Sequence, residues 1–112
     1  TIASLLARLG SRIVVHRCVA ADGATLAMRA AAIVGDVAVD MLAATSAAGR
    51  SSYASYAACW SLVEECARRG VARYDLAGVD ALRNKGVYDF KRGTGAREVR
   101  YLGEWDAASP AP

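Results

Sequence analysis

The chain has 112 residues, a net charge of +3 and 54% hydrophobic residues, enough for one domain around a single core and too little for two. Alanine supplies much of the apolar share and only 7% is aromatic, so the interior must rely on close approach of small side chains, with Trp60, Phe90, Tyr101 and Trp105 as candidate anchors. There is no apolar run of roughly 18 residues to span a membrane and no signal-peptide order at the start, while an odd count of cysteines without CxxC spacing (Cys18, Cys59, Cys66) and one histidine point to reduced thiols in a cytoplasmic setting and away from zinc.

The opening Ser4 to Arg12 reads as the last turns of a helix, with Leu5, Leu6 and Leu9 on one side and Gly10 ending it. The chain is therefore expected to begin mid-fold. Three β-rich runs follow, Arg12 to Val19, Thr25 to Val34 and Val37 to Thr45, separated by Asp22-Gly23 and Gly35-Asp36. Both separators are hairpin chemistry, because glycine and its acidic neighbour tolerate positive φ, and an antiparallel meander is the consequence. His16, on the first run, has no acid or cysteine at a matching spacing and is expected to be structural.

Residues 46–52, SAAGRSS, are small and hydroxylic and lead into a helix from Tyr53 to Arg69, closed by Gly70. Its expected core stripe is Tyr56, Cys59, Trp60, Val63, Cys66 and Ala67, repeating at three and four; Ser51 or Ser52 is its expected cap. Val71 to Leu76 reads as a strand parallel to the third run, joined to it by a right-handed crossover. Ala81 to Lys91 suggests a short, glycine-interrupted helix, Glu98 to Trp105 a last strand, and residues 107–112 a disordered tail.

The chemistry-bearing part is near the end. Tyr74-Asp75-Leu76-Ala77-Gly78 delivers an acid at a strand mouth, and Lys85 to Gly95, KGVYDFKRGTG, sets Lys91 between the aromatic Phe90 and a glycine-bearing segment. From Arg83 to Arg100 there are six basic residues (Arg83, Lys85, Lys91, Arg92, Arg97, Arg100) against two acids, Asp89 and Glu98. That excess suits an anionic partner such as a phosphate or a nucleic acid end, although a basic run by itself is more often a solvated surface. These two motifs, followed by the aromatic Tyr-Leu-Gly-Glu-Trp-Asp stretch, resemble the end of a GNAT-type domain of the FemABX family.

The resemblance implies an α/β (α+β) fold: a GNAT-like mixed sheet in which an antiparallel meander precedes a βαβ unit, without the N-terminal part of the fold. Residues 1–106 are then a partial acyltransferase domain and 107–112 a tail. It further implies transfer of an amino acid from aminoacyl-tRNA to the amine of a peptide acceptor such as a peptidoglycan precursor, with no cofactor, and an upstream domain or a second copy covering the open edge of the first strand. Lys91, in the family's Phe-Lys position, is implied as the cation at the reacting ester; Asp75 is a candidate proton acceptor; Arg92 and Arg97 are candidate phosphate contacts. The family motif usually has phenylalanine where this chain has Thr94, which puts the packing of that loop in question.

An acetyl-CoA-dependent GNAT would carry an Arg/Gln-x-x-Gly-x-Gly/Ala loop ahead of the long helix. Ser46 to Ser52 does not match it, and what remains is Arg50, Ser51 and Ser52 at a helix start without acids, a site for an anion. An acyl-CoA N-acyltransferase and a non-catalytic GNAT-like half are therefore the competing readings. Asp40 and Met41 on the third run, and Tyr53 and Tyr56 at the helix start, are weaker candidates for lining a cleft, ordinary packing being the stronger reading for each.

Overall fold

The three β-rich runs and their glycine turns produce the meander. In the computed structural model, which describes residues 2–78 and 82–99, α1 (Ile2–Leu9) passes through a 3-10 turn at Gly10–Arg12 into β1 (Ile13–Val19), β2 (Thr25–Val34) and β3 (Val37–Thr45). Gly23 and Gly35 take φ of +89° and +61° at the two hairpins, a region closed to most side chains. Next come α2 (Ala47–Ser51), α3 (Ala54–Arg68) and β4 (Arg73–Asp75). The strands are ordered β1-β2-β3-β4, with β1 at an edge of the sheet among the described residues. The first two pairings are antiparallel and β3–β4 is parallel, as the crossover through α3 requires. This is the mixed sheet expected from the sequence.

The chain divides into two compact units, residues 1–78 and 79–112. The core of the first lies between α3 and one face of the sheet. Val14, Ala31, Ala38, Leu62 and Cys66 form one buried cluster and Ala27, Ala54 and Ala58 a second. Alanines on both surfaces let helix and sheet backbones approach closely, so the expected dependence on small residues holds.

The expected phase of α3 does not hold. Its buried residues are Ala54, Ala58, Cys59, Leu62 and Cys66, whereas Trp60 is 65% exposed. At about 100° per residue, Trp60 points roughly 160° away from Leu62, and an alanine-lined contact has no room for an indole. Counting Trp60 as an anchor rotated the stripe away from the small residues that carry it. The start of the helix also differs, because Tyr53 adopts φ +59° and breaks the chain between α2 and α3. At the other end Arg68 and Arg69 both pair with Glu65, at 2.8 and 3.3 Å.

In the second unit α4 spans Lys85–Gly93, later than the expected Ala81 to Lys91, because Asn84 caps it by accepting from Val87 N at 3.4 Å. Gly86 lies inside it. Phe90 is half-buried and α4 has no fully buried residue, so Phe90 is not the core anchor the sequence suggested. Glu98 and Val99 belong to no strand. The remainder of the expected last strand, the anchors Tyr101 and Trp105, the 107–112 tail, Ala81, and the side chains of Leu5 and Leu6 lie outside the described residues.

Candidate functional site

The segment between β3 and α3 is where a phosphate-binding loop would stand. Ser46 ends β3 and caps α2, its Oγ accepting from Gly49 N at 3.0 Å and donating to Leu26 O at 3.3 Å. Only glycine fits at position 49, since a Cβ there would lie 2.0 Å from the Leu26 carbonyl oxygen. The hydroxyls of Ser51 and Ser52 donate to Ala48 O at 3.0 and 2.8 Å. They are back-bonded within α2 and do not cap α3, whose N-cap, Tyr53, makes no side-chain hydrogen bond. Arg50 donates to Thr45 O at 3.2 Å, in the last turn of α2 rather than ahead of a long helix. The backbone N–H groups of Arg50, Ser52 and Tyr53 are likewise donated within the segment. Hence Arg50, Ser51 and Ser52 are brought together, but in a turn where the N–H groups of Gly49, Arg50, Ser52 and Tyr53 and both serine hydroxyls already have acceptors.

Beside it a surface concavity of about 260 Å³ is lined by Thr25 to Met28 and by Ala44, Thr45 and Ser46. Its lining is mostly apolar, from Leu26, Ala27, Met28 and Ala44, with Thr25, Thr45 and Ser46 adding hydroxyls. Among the described residues no group of three or more His, Cys, Asp or Glu could hold a metal ion.

Beneath α3 lies a polar constellation that the sequence did not reveal. Arg29 on β2 donates to Asp40 Oδ2 on β3 at 2.7 Å, with side chains 5% and 9% exposed. It also reaches Ser55 Oγ on α3 at 3.3 Å, and the Tyr74 hydroxyl on β4 donates to Asp40 Oδ1 at 2.9 Å. Burial, and then the neighbouring Asp40 carboxylate, push the Tyr74 phenol far above its ordinary range. Burial likewise raises the thiol of Cys59. The one hint in the sequence was an arginine within the alanine-rich TLAMRAAAIV, since a charge on an otherwise apolar strand has to be paired. His16, expected to be structural, places Nδ1 2.7 Å from Ser61 Oγ and ties β1 to α3.

Asp75 ends β4 exposed to solvent. Its Oδ1 accepts from Ala77 N at 2.7 Å, a local turn around Ala77, whose φ is +67°. In the second unit Lys91 and Arg92 occupy the last turn of α4, where cations suit the helix dipole; Lys91 is half-buried and Arg92 exposed. Thr94 closes that turn, Oγ1 donating to Lys91 O at 2.6 Å. The position where the family usually has phenylalanine thus serves as a polar stop. Lys85 pairs with Asp89 at 2.6 Å, so part of the basic excess is neutralised within the helix. Arg97 is exposed beyond it. Asp75 belongs to the first unit; Lys91, Arg92 and Arg97 belong to the second.

The sequence profile of the FemAB family matches residues 6–110. No curated protein matches the chain significantly. Among solved structures, a mutant protein from Bacillus halodurans superimposes with a TM-score of 0.72 at 12% identity, over 96% of this chain and 73% of its own. A Trypanosoma brucei acetyltransferase superimposes at 0.66 with 18% identity, over 95% and 75% of the two chains, and a probable acetyltransferase at 0.64 with 13% identity, over 99% and 76%. At such identities the likeness is one of fold, and the fold is that of GNAT-like acetyltransferases.

Proposed function

Because the chain belongs to the FemAB family, a GNAT-like acyltransferase family, we propose that it transfers an amino acid from aminoacyl-tRNA to the amine of a peptide acceptor such as a peptidoglycan precursor. The observation that carries this reading is the extent of the family match: residues 6–110 include both the YDLAG and the KGVYDFKRGTG segments.

In this reaction the acceptor nitrogen attacks the ester carbonyl carbon. A C–N bond forms, the ester C–O bond breaks, the ribose oxygen leaves as a hydroxyl, and the amine gives up the balancing proton. The chemistry needs a positive charge where the carbonyl oxygen becomes an oxyanion and a group that accepts or relays the proton. Lys91 is assigned the first role. Asp75 is assigned the second, having a carboxylate at a strand mouth open to solvent. Arg92 and Arg97 are assigned to phosphates of the tRNA end, because guanidinium forks match phosphate oxygens. Arg50, Ser51 and Ser52 remain a secondary anion contact, with Arg50 the only charge among them.

Acyl-CoA is the less suitable donor. The segment that would cradle a pyrophosphate has its Gly49, Arg50, Ser52 and Tyr53 N–H groups engaged in internal hydrogen bonds, and Gly49 is pressed against β2. Within the same proposal residues 1–106 act as one portion of a catalytic domain, which an upstream segment or second copy completes along β1.

The test is transfer of a radiolabelled amino acid from charged tRNA to a peptidoglycan-precursor peptide, run beside acetyl-CoA turnover. Transfer from tRNA is expected, and Lys91→Ala should lower it about a hundredfold. Acetyl-CoA turnover without tRNA-dependent transfer would replace this reading with the acyl-CoA one, and an unchanged rate in Lys91→Ala would remove the role given to Lys91.

A further inference from the structure

The buried Arg29–Asp40–Tyr74 network has no part in the roles assigned above. The geometry points to Asp40 and Tyr74 as positioning residues: a latch between β3 and β4 that fixes the strand mouth carrying Asp75 and the turn at Ala77. The inference deepens the proposed function and, for its catalytic consequence, rests on it.

β4 is only three residues long and pairs through Val37↔Arg73, Ala38↔Tyr74 and Val39↔Asp75. So short a ladder does little to hold its own register, which is set instead by whichever side chains point inward. Tyr74 is the one inward side chain of the three, half-buried between exposed Arg73 and Asp75. Its ring packs against the Val14, Ala31, Ala38, Leu62 and Cys66 cluster, while its hydroxyl donates to Asp40 Oδ1. Asp40 lies two residues beyond Ala38, the backbone partner of Tyr74, on the same face of β3. Arg29 holds its other oxygen from β2. The carboxylate is thereby fixed from two strands, and the phenol, kept protonated by burial and by that carboxylate, is a permanent donor to it. A slip of one residue would turn Tyr74 to the other face and leave Asp40 with one donor fewer.

What the latch holds in place is strained. Ala77, a non-glycine residue, sits at φ +67° two residues beyond the strand, a conformation that persists only where its surroundings over-determine it. Asp75 provides one restraint by accepting from Ala77 N. That restraint can act only if Asp75 itself is held, and the latch is one residue away.

Tyr74→Phe keeps the ring and removes one O–H, so the variant is expected to fold. In the full chain, amide exchange at Arg73, Asp75 and Ala77 would be compared by NMR with exchange at Ala31 and Leu62, and kcat and KM would be measured for transfer from charged tRNA. Val14→Ala, which loosens the same core cluster from β1 at the far edge of the sheet, serves as the control for global stability. Loss of a buried hydrogen bond to a charged group corresponds to about tenfold or more. Exchange at the three β4-end amides should therefore accelerate about tenfold relative to Ala31 and Leu62, and kcat should fall by a similar factor at unchanged KM, with neither effect in Val14→Ala. Equal acceleration at all sites, or an unchanged kcat in an active enzyme, would overturn the positioning role. Selective acceleration in a chain that transfers nothing from tRNA would support the latch and defeat the proposed function, so the two fail separately.

Discussion

The two units of this chain handle charge in opposite ways. In the first, an arginine, an aspartate and a tyrosine are taken into the interior under α3 and satisfy one another. In the second, α4 buries no residue fully; Lys85 at its start pairs with Asp89, and Lys91 and Arg92 in its last turn are half-buried and exposed. Arg29, Asp40 and Tyr74 are committed to structure, because a buried charge that loses its partner is very costly. Arg92 and Arg97 of the second unit are exposed to solvent. Residue type alone does not separate these uses: Arg29 and Arg92 are the same side chain given opposite tasks by burial.

That contrast can be broken most sharply at Arg29. Arg29→Ala leaves the Asp40 carboxylate enclosed with Tyr74 as its remaining donor, and the expected loss is about 3–5 kcal/mol, measured by urea unfolding; a loss under about 1 kcal/mol would mean that water reaches Asp40. Lys91→Ala, whose effect on transfer was given above, should by contrast change unfolding stability by no more than about 0.5 kcal/mol. Trp60→Ala tests the same division within the first unit. With the indole mostly in solvent, stability should move by about 0.5 kcal/mol, whereas a drop of about 3–5 kcal/mol would restore it as a core anchor. The smallest effect concerns the exposed ion pairs ending α3. Hydrogen bonds from Arg68 and then Arg69 hold the Glu65 carboxyl below its usual value. A lowered folded-state pKa means that the associated stability is present above the ordinary glutamate range and fades as the pH falls through the lowered value. Thermal unfolding scans on the acid side should show a slight decline that added salt suppresses.

The strands and hairpins were legible because two independent signals coincide there: apolar runs of strand length, and glycines that the turns require at positive φ, Gly23 and Gly35. The parallel β4 followed from the crossover rule. The helix was legible in extent and misread in phase, since hydrophobicity ranks tryptophan above alanine while a close helix–sheet contact selects alanine. Ser51 and Ser52 were misread as caps because a helix start was assigned where Tyr53 interrupts the chain. For the candidate site, the sequence indicated which residue types bear charge but not what they face. Arg29 and Asp40 are brought together only after the bulge between Ala30 and Ala31 shifts the β2–β3 register, and no local pattern encodes that shift. Lys91, Arg92, Arg97 and Asp75 are proposed from the motif, and the structure adds only their helix end, strand end and exposure.

The alanine-lined interior has one more consequence. Ala27, Ala31, Ala38, Ala54 and Ala58 are all at most 3% exposed, and an alanine side chain has no rotamers to lose on folding. The order of these positions therefore costs almost no side-chain entropy. In the Ala27, Ala54 and Ala58 cluster no fully buried side chain can adjust, unlike the cluster that holds Val14, Leu62 and Cys66. Enlarging the methyl group of Ala27, Ala54 or Ala58 cannot be absorbed by a buried neighbour changing rotamer, and must push α3 off the sheet as a rigid rod.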